Sequence, residues 1–290
     1  MLNAVLSLVF FGVVPLAGNA PVADVQPLDV SVASPSTFVA LLAPLLEQQR
    51  ALSASGVVII DLQSGQTLYT HHANLVRPMA SLTKLMTALI IAENHDLSEW
   101  VRVPSPLPPL ERSTIVLRAG EQYRVGEVLD ALLVHSANEA AVSLAVFHSG
   151  SEEKFVEEMN ARAKDLGLTN TSFANSMGFD HPAQYSTPQE IAWLATYVLR
   201  RPELRERMSK PSAFITSKQG SSVTVTQTHQ LLTGSSNVIA GKTGTTDAAG
   251  QCLLSIVQEG SREYLVVLLA SKDRYRDMRT VLAVLRQLLV

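Results

Sequence analysis

The run Tyr264–Ala270 is apolar at every position and rich in branched side chains, so it reads as a strand buried on both faces. Further strand-like segments lie both near it and far upstream. Leu253–Val257 is apolar as well, and Val223 and Val225 alternate with Thr. Far upstream, Gly56–Asp61 reads as another buried strand, Ser64-Gly65 as a turn, and Gln66–Thr70 as the returning strand of a hairpin.

The sequence between these strands is patterned for helices. Ser81–Asn94, Val125–His135 and Glu139–His148 are apolar helical runs. Phe155, Met159, Ala163 and Leu166 form a helical stripe that ends at Gly167, a left-handed cap. Thr187-Pro188-Gln189-Glu190 has a capping-box pattern with proline at the first helical position, and opens a helix to about Arg200. Thr114–Leu117 is expected to be a short strand. Met278–Val290 is amphipathic, and its apolar face is expected to pack on the sheet. Strands at both ends with helices between them predict one discontinuous domain with a helical insertion.

At 290 residues the chain can bury a sizeable core. A net charge of -3 and no Lys/Arg run set nucleic-acid binding aside. Ala4–Leu16 is almost wholly apolar and Gly18-Asn19-Ala20 supplies small residues, so 1–20 reads as a secretory signal peptide, although no Lys or Arg precedes the apolar run. Residues 21–35, proline-rich, read as a flexible lead-in, and Thr37–Leu52 as a helix interrupted at Pro44. After removal of the signal, no transmembrane anchor is evident. The lone Cys252 excludes an intramolecular disulfide and sits in an apolar run as an inert thiol.

Three short motifs carry chemistry. Ser81-Leu82-Thr83-Lys84 places an amine and a hydroxyl one turn apart at the start of an apolar helix, where the helix N-terminus adds positive potential. A serine hydroxyl becomes a nucleophile when a neighbouring base takes its proton, and lysine is one such base. Ser136-Ala137-Asn138 breaks two apolar helices and exposes a hydroxyl beside an amide. Lys242-Thr243-Gly244-Thr245 follows Gly241 among strand-like segments and offers a cation and hydroxyl donors to a carboxylate. Each motif alone is equally compatible with a capped helix start, a polar linker or a sheet-edge turn.

Taken in order, S-x-x-K, S-x-N and K-T-G resemble the serine penicillin-recognising arrangement. The strings Leu75–Thr87, Leu166–Thr171, Tyr185–Thr187 and Lys242–Cys252 are similar to low-molecular-mass penicillin-binding proteins of the D-alanyl-D-alanine carboxypeptidase type, over about residues 50 to 285. The resemblance implies an α/β (α+β) fold of the β-lactamase/DD-peptidase kind. Its antiparallel sheet would be flanked by helices, within a catalytic domain of residues 36–290 that carries an all-helical insertion over about 79–215. It also implies an exported enzyme of the periplasm or cell envelope. That enzyme would act on peptidoglycan stem peptides without a cofactor or metal, and β-lactams would inhibit it covalently.

On the same resemblance Ser81 would attack the carbonyl between the terminal D-alanines, and Lys84 would be the general base, its pKa lowered by desolvation and by Lys242. Ser136 would relay a proton between Lys84 and the leaving amine, and Asn138 would hold Lys84 and the substrate amide. The N–H groups of Ser81 and Thr245 would form an oxyanion hole. Lys242, Thr243, Gly244 and Thr245 would bind the terminal carboxylate, with help from Arg274 or Arg276.

Other readings fit less well. A class A β-lactamase needs an E-x-x-L-N segment that is absent, and a phosphate-binding loop needs glycine where Ser236 stands. A silent peptidoglycan-binding scaffold would have no need of Lys84. Carboxypeptidase and cross-link endopeptidase share all these residues. The form without a second β-rich domain, and the wording Leu75-Val76-Arg77-Pro78, resemble the endopeptidase branch.

Overall fold

The protein was described from a computed structural model covering residues 52–108, 110, 115–234 and 236–288. The signal-peptide and lead-in readings, and the Thr37–Leu52 reading up to residue 51, therefore fall on residues outside those described.

Five strands form one antiparallel sheet in the order β2-β1-β9-β8-β7. They are β1 (Gly56–Asp61), β2 (Thr67–His71), β7 (Val238–Thr246), β8 (Gly250–Glu259) and β9 (Arg262–Ser271). The Tyr264–Ala270 run lies in the central strand, with Val58 opposite Val267 on one side and Leu254 opposite Val267 on the other. Because side chains alternate along a strand, a strand buried on both faces feeds two cores. Val58, Ile60, Leu265 and Val267 enter the core shared with the helical block. Val57, Ile59, Val266 and Leu268 enter a second core with Met278, Val281 and Leu285. Truncating one of these side chains to alanine costs about 2–5 kcal/mol.

The second core is covered by α7 (Arg274–Leu288), so the tail helix packs on the sheet as its amphipathic pattern requires. The wholly buried Asp277 accepts hydrogen bonds from Ser53 N, Ser53 Oγ and Ser271 Oγ, tying α7 to the beginning of the described chain and to the end of β9.

On the other face lies the helical block: α1 (Lys84–Asn94), α2 (Val125–Val134), α3 (Asn138–Ser149), α4 (Glu152–Asp165), α5 (Pro188–Leu199) and α6 (Pro202–Ser209). Its hub is α1, where every residue from Lys84 to Ile91 is buried, the polar Lys84 and Thr87 among otherwise apolar side chains. Gly167 has φ 73° and caps α4 as expected. Thr187 caps α5 by accepting from Glu190 N, but the Glu190 carboxylate is taken by Asn170 and Thr171 and so pins the preceding loop.

Two short ribbons complete the block, β3 (Trp100–Arg102) with β4 (Gln122–Arg124), and β5 (Ser212–Thr216) with β6 (Ser222–Thr226). The strand expected over Thr114–Leu117 does not form in its described part. Instead, the N–H groups of Val116 and Leu117 donate to the buried Glu139 carboxylate.

Candidate active site

The helix expected from Ser81 begins three residues later. Ala80–Thr83 is a 3-10 turn, and the α-helix starts at Lys84. Ser81 therefore projects from a tight turn ahead of α1 rather than from its first helical residues. The turn starts at Ala80 with φ 50°, a left-handed conformation that costs a non-glycine residue about 1–3 kcal/mol. Neighbouring segments hold it there. Thr83 Oγ1 donates to Ala80 O at 2.8 Å, and Gln184 Nε2 donates to Thr83 Oγ1 at 2.8 Å. Gly178 lies against the turn so closely that a Cβ would sit 2.0 Å from Ala80 O.

Lys84 is wholly buried and directs Nζ to three acceptors: Ser81 Oγ at 3.0 Å, Asn138 Oδ1 at 2.8 Å and Met177 O at 2.7 Å. Burial pushes its pKa down to about 7, against an opposing pull from Glu139, the next residue on α3 after Asn138. Burial thus brings the neutral amine within reach near neutral pH. The crowding by Lys242 expected from the sequence is secondary, since burial is the leading cause for both lysines. Their mutual repulsion, joined by that of Arg274, acts on Lys242.

The second motif forms the break between α2 and α3. Ser136 adopts φ 62° there, again in the left-handed region, and Asn138 opens α3. The third motif lies within β7, at the edge of the sheet, rather than in a turn. Lys242 is fully buried, and its Nζ donates to Ser136 Oγ at 2.7 Å and to Thr243 O at 2.8 Å. Ser136 is therefore bonded to Lys242, while the N–H groups of Lys84 point to Ser81, Asn138 and Met177. Gly244 passes directly over the turn, where a Cβ would meet Ser81 N at 2.8 Å. Only glycine lets β7 come that near.

These groups line a cleft of about 480 Å³ that includes Ser81, Ser136, Asn138, Thr243, Gly244 and Thr245. Its rim carries Phe179 and Asp180, and Asp180 accepts from Ala248 N across the mouth. Arg274, at the start of α7, donates to Gly244 O and Cys252 O at 2.9 Å each and to Thr245 Oγ1. Arg276 is exposed and takes no such part. Cys252 is buried on β8, opposite Gly244, and burial raises its thiol pKa to about 11, so it stays protonated. Among the described residues no three His, Cys, Asp or Glu side chains converge as a metal site.

Sequence reading missed Met177, whose contribution is a backbone carbonyl, and Glu139, Gln184 and Thr83, whose roles depend on tertiary contacts. It named Arg274 only as one of two options.

Solved structures similar to this chain have related descriptions. The crystal structure of the Streptomyces K15 DD-transpeptidase superposes with a TM-score of 0.75 at 26% identity, over 82% of this chain and 97% of that one. The D-alanyl-D-alanine carboxypeptidase of Mycobacterium tuberculosis gives 0.73 at 27% identity, over 81% and 90%. The family model described as D-alanyl-D-alanine carboxypeptidase, peptidase family S11, matches residues 44–272. The chain belongs to that family.

Relatives include the D-alanyl-D-alanine carboxypeptidases DacF of Bacillus subtilis, 33% identical, and DacC of Escherichia coli, 31% identical. The match to DacF covers 78% of this chain and 60% of DacF; that to DacC covers 84% and 65%. The chain thus spans less than two thirds of the length of these two relatives. The D-alanyl-D-alanine endopeptidase of Escherichia coli is 27% identical, over 83% of this chain and 79% of its own.

Proposed function

We propose that this chain is a serine D-Ala-D-Ala carboxypeptidase of the cell envelope that cleaves peptidoglycan stem peptides through an acyl-enzyme on Ser81. The observation that carries this reading is the set of acceptors around Lys84. A neutral amine has two N–H bonds and one lone pair. With the N–H bonds on Asn138 Oδ1 and Met177 O, the lone pair faces the Ser81 hydroxyl, which is the geometry of a general base.

The substrate would lie along β7. An edge strand has free backbone groups, and an extended peptide can add to it as a further strand. The scissile carbonyl oxygen would then sit between the N–H groups of Ser81 and Thr245, brought together by the close passage of Gly244. Thr243, Thr245 and Arg274 would receive the terminal carboxylate. Lys242, buried beneath the strand, would reach the cleft through Ser136.

Ser81 Oγ adds to the carbonyl carbon as its proton passes to Lys84 Nζ. The amide C–N bond then breaks as the leaving D-alanine amine takes that proton from Lys84 through the Ser136 hydroxyl, which Lys242 holds in place, and Lys84 is neutral again. Water, deprotonated by the again neutral Lys84, adds to the ester carbonyl. Collapse frees Ser81 with its proton restored. Export to the periplasm or cell envelope and covalent inhibition by β-lactams belong to the same reading.

The endopeptidase of Escherichia coli supports a second reading, cleavage of D-alanyl cross-links. Digestion of purified monomeric and cross-linked muropeptides, followed by mass spectrometry, separates the two. Loss of one D-alanine from pentapeptide monomers is the expected result. Conversion of dimers to monomers without D-alanine release would replace it with the endopeptidase, and no product from either would refute the peptidase reading.

A further inference from the structure

The carbonyl that orients Lys84 belongs to a segment without regular secondary structure, Ala174–Phe179, and the hydrogen bonding of that segment is unusual. Every backbone N–H along it ends on a side-chain oxygen. Ala174 N and Asn175 N donate to Gln184 Oε1 at 2.5 and 3.2 Å. Ser176 N donates to Glu152 Oε1 at 3.0 Å, and Ser176 Oγ reaches the same oxygen at 2.7 Å. Met177 N, Gly178 N and Phe179 N all converge on Asn175 Oδ1, at 3.2, 2.7 and 3.0 Å, while Asn175 Nδ2 donates to Phe179 O at 3.1 Å. Thr87 Oγ1 holds the Ser176 carbonyl at 2.8 Å.

Three side chains thus replace the ladder that a helix or sheet would supply, and the Met177 carbonyl is left free to meet Lys84. Asn175 holds the half of the segment that matters most. The N–H groups it gathers flank the Met177 carbonyl, and they fix Gly178 against the turn that carries Ser81. An oxygen accepting from three successive N–H groups imposes a tight local curl on the backbone.

We infer that Asn175 is a positioning residue, whose side-chain oxygen curls the 177–179 backbone so that the Met177 carbonyl orients Lys84 toward Ser81. The inference rests on the reading of Lys84 as general base. Without Asn175 Oδ1 the curl relaxes, the Met177 carbonyl withdraws, and the lone pair of Lys84 loses its direction. A displacement of about 1 Å in such a group lowers a rate by about 100-fold. Losing an acceptor also makes the ammonium form of Lys84 less favourable, so the acid limb of the rate moves to lower pH. The charged groups around Lys84 in this comparison are Glu139 on α3 and Lys242 on β7. Those near the segment are Glu152 and Asp180.

The test is the acylation rate by a fluorescent penicillin as a function of pH, for wild type, Asn175→Ala and Asn175→Asp, each normalised to folded protein. For Asn175→Ala the expected result is a plateau lowered about 10- to 100-fold with the acid limb displaced to lower pH. For Asn175→Asp, which keeps the acceptor, the plateau stays within about threefold of wild type. If the alanine variant does not fold, Asn175→Ser, whose hydroxyl can accept from one of the three N–H groups, takes its place with a smaller loss and the same direction of pH shift. A variant lacking the acceptor whose acid limb stays where wild type has it overturns the inference, because a purely structural defect lowers the rate without moving the limb. Wild type that is not acylated at all would instead refute the proposed function.

Discussion

Replacing Gly244 with alanine tests whether the close passage of β7 over the serine turn builds the oxyanion site. The added Cβ would lie 2.8 Å from Ser81 N, 3.0 Å from Ala80 Cβ and 3.3 Å from Leu82 N. Non-bonded heavy atoms settle at about 3.5 Å, so strand and turn must separate by roughly half an ångström or more. Neither can move freely. Gly244 is paired with Cys252 on β8 and its carbonyl is held by Arg274, while the turn has Gly178 behind it. The displacement therefore falls on the gap between Ser81 N and Thr245 N. Misplacing one oxyanion donor costs about 100-fold in rate, equivalent to about 2.7 kcal/mol of transition-state stabilisation. The crowding costs about 1–3 kcal/mol of folding stability as well. Stopped-flow acylation by a labelled β-lactam, normalised to folded protein, is the assay. A folded Gly244→Ala variant that acylates within about threefold of wild type would refute this account of the oxyanion site.

Other expectations follow from the charges and the packing. If Lys84 is the general base proposed above, the acylation rate should rise with pH, reach half its plateau near pH 7, and then level off. In Glu139→Gln the carboxylate that favours the ammonium is gone, so the half-point should move to lower pH; a shift upward would show that the sign is wrong. Asp130, nearly buried at the meeting of α2 and α6, takes Lys210 at 3.0 Å and Arg207 at 3.4 Å. Asp130→Ala strands the buried Arg207 guanidinium and should cost about 3–5 kcal/mol in urea unfolding, while a loss below 1 kcal/mol would mean that water already screens the pair.

The sheet and the order of the chemistry were legible in the sequence because both are local. Tyr264–Ala270 and Gly56–Asp61 read as buried strands, and Ser81 and Lys84 read as neighbours from their spacing alone. What failed depended on distant contacts. The turn at Ala80–Thr83 displaces the helix start because Gly178 and Gln184 hold Ala80 in a left-handed conformation that alanine does not favour by itself. Val116 and Leu117 look strand-like, yet their N–H groups go to Glu139. Trp100–Arg102 and Gln122–Arg124 are too short to show a period, and Pro202–Ser209 is a polar helix with little apolar stripe to detect. Lys242 is expected at the substrate carboxylate, yet its amine is buried and bonded to Ser136 Oγ and Thr243 O, contacts made across the fold that no local pattern shows. A backbone carbonyl such as that of Met177 leaves no mark in a sequence at all.

The central claim is that Ser81 is the nucleophile activated by Lys84. It is tested most directly by incubating the protein with a β-lactam and locating the adduct by peptide mass spectrometry. The account predicts one covalent adduct, on Ser81, absent from Ser81→Ala and slowed by orders of magnitude in Lys84→Ala. An unlabelled, folded wild-type protein, or an adduct on any other residue, would contradict it.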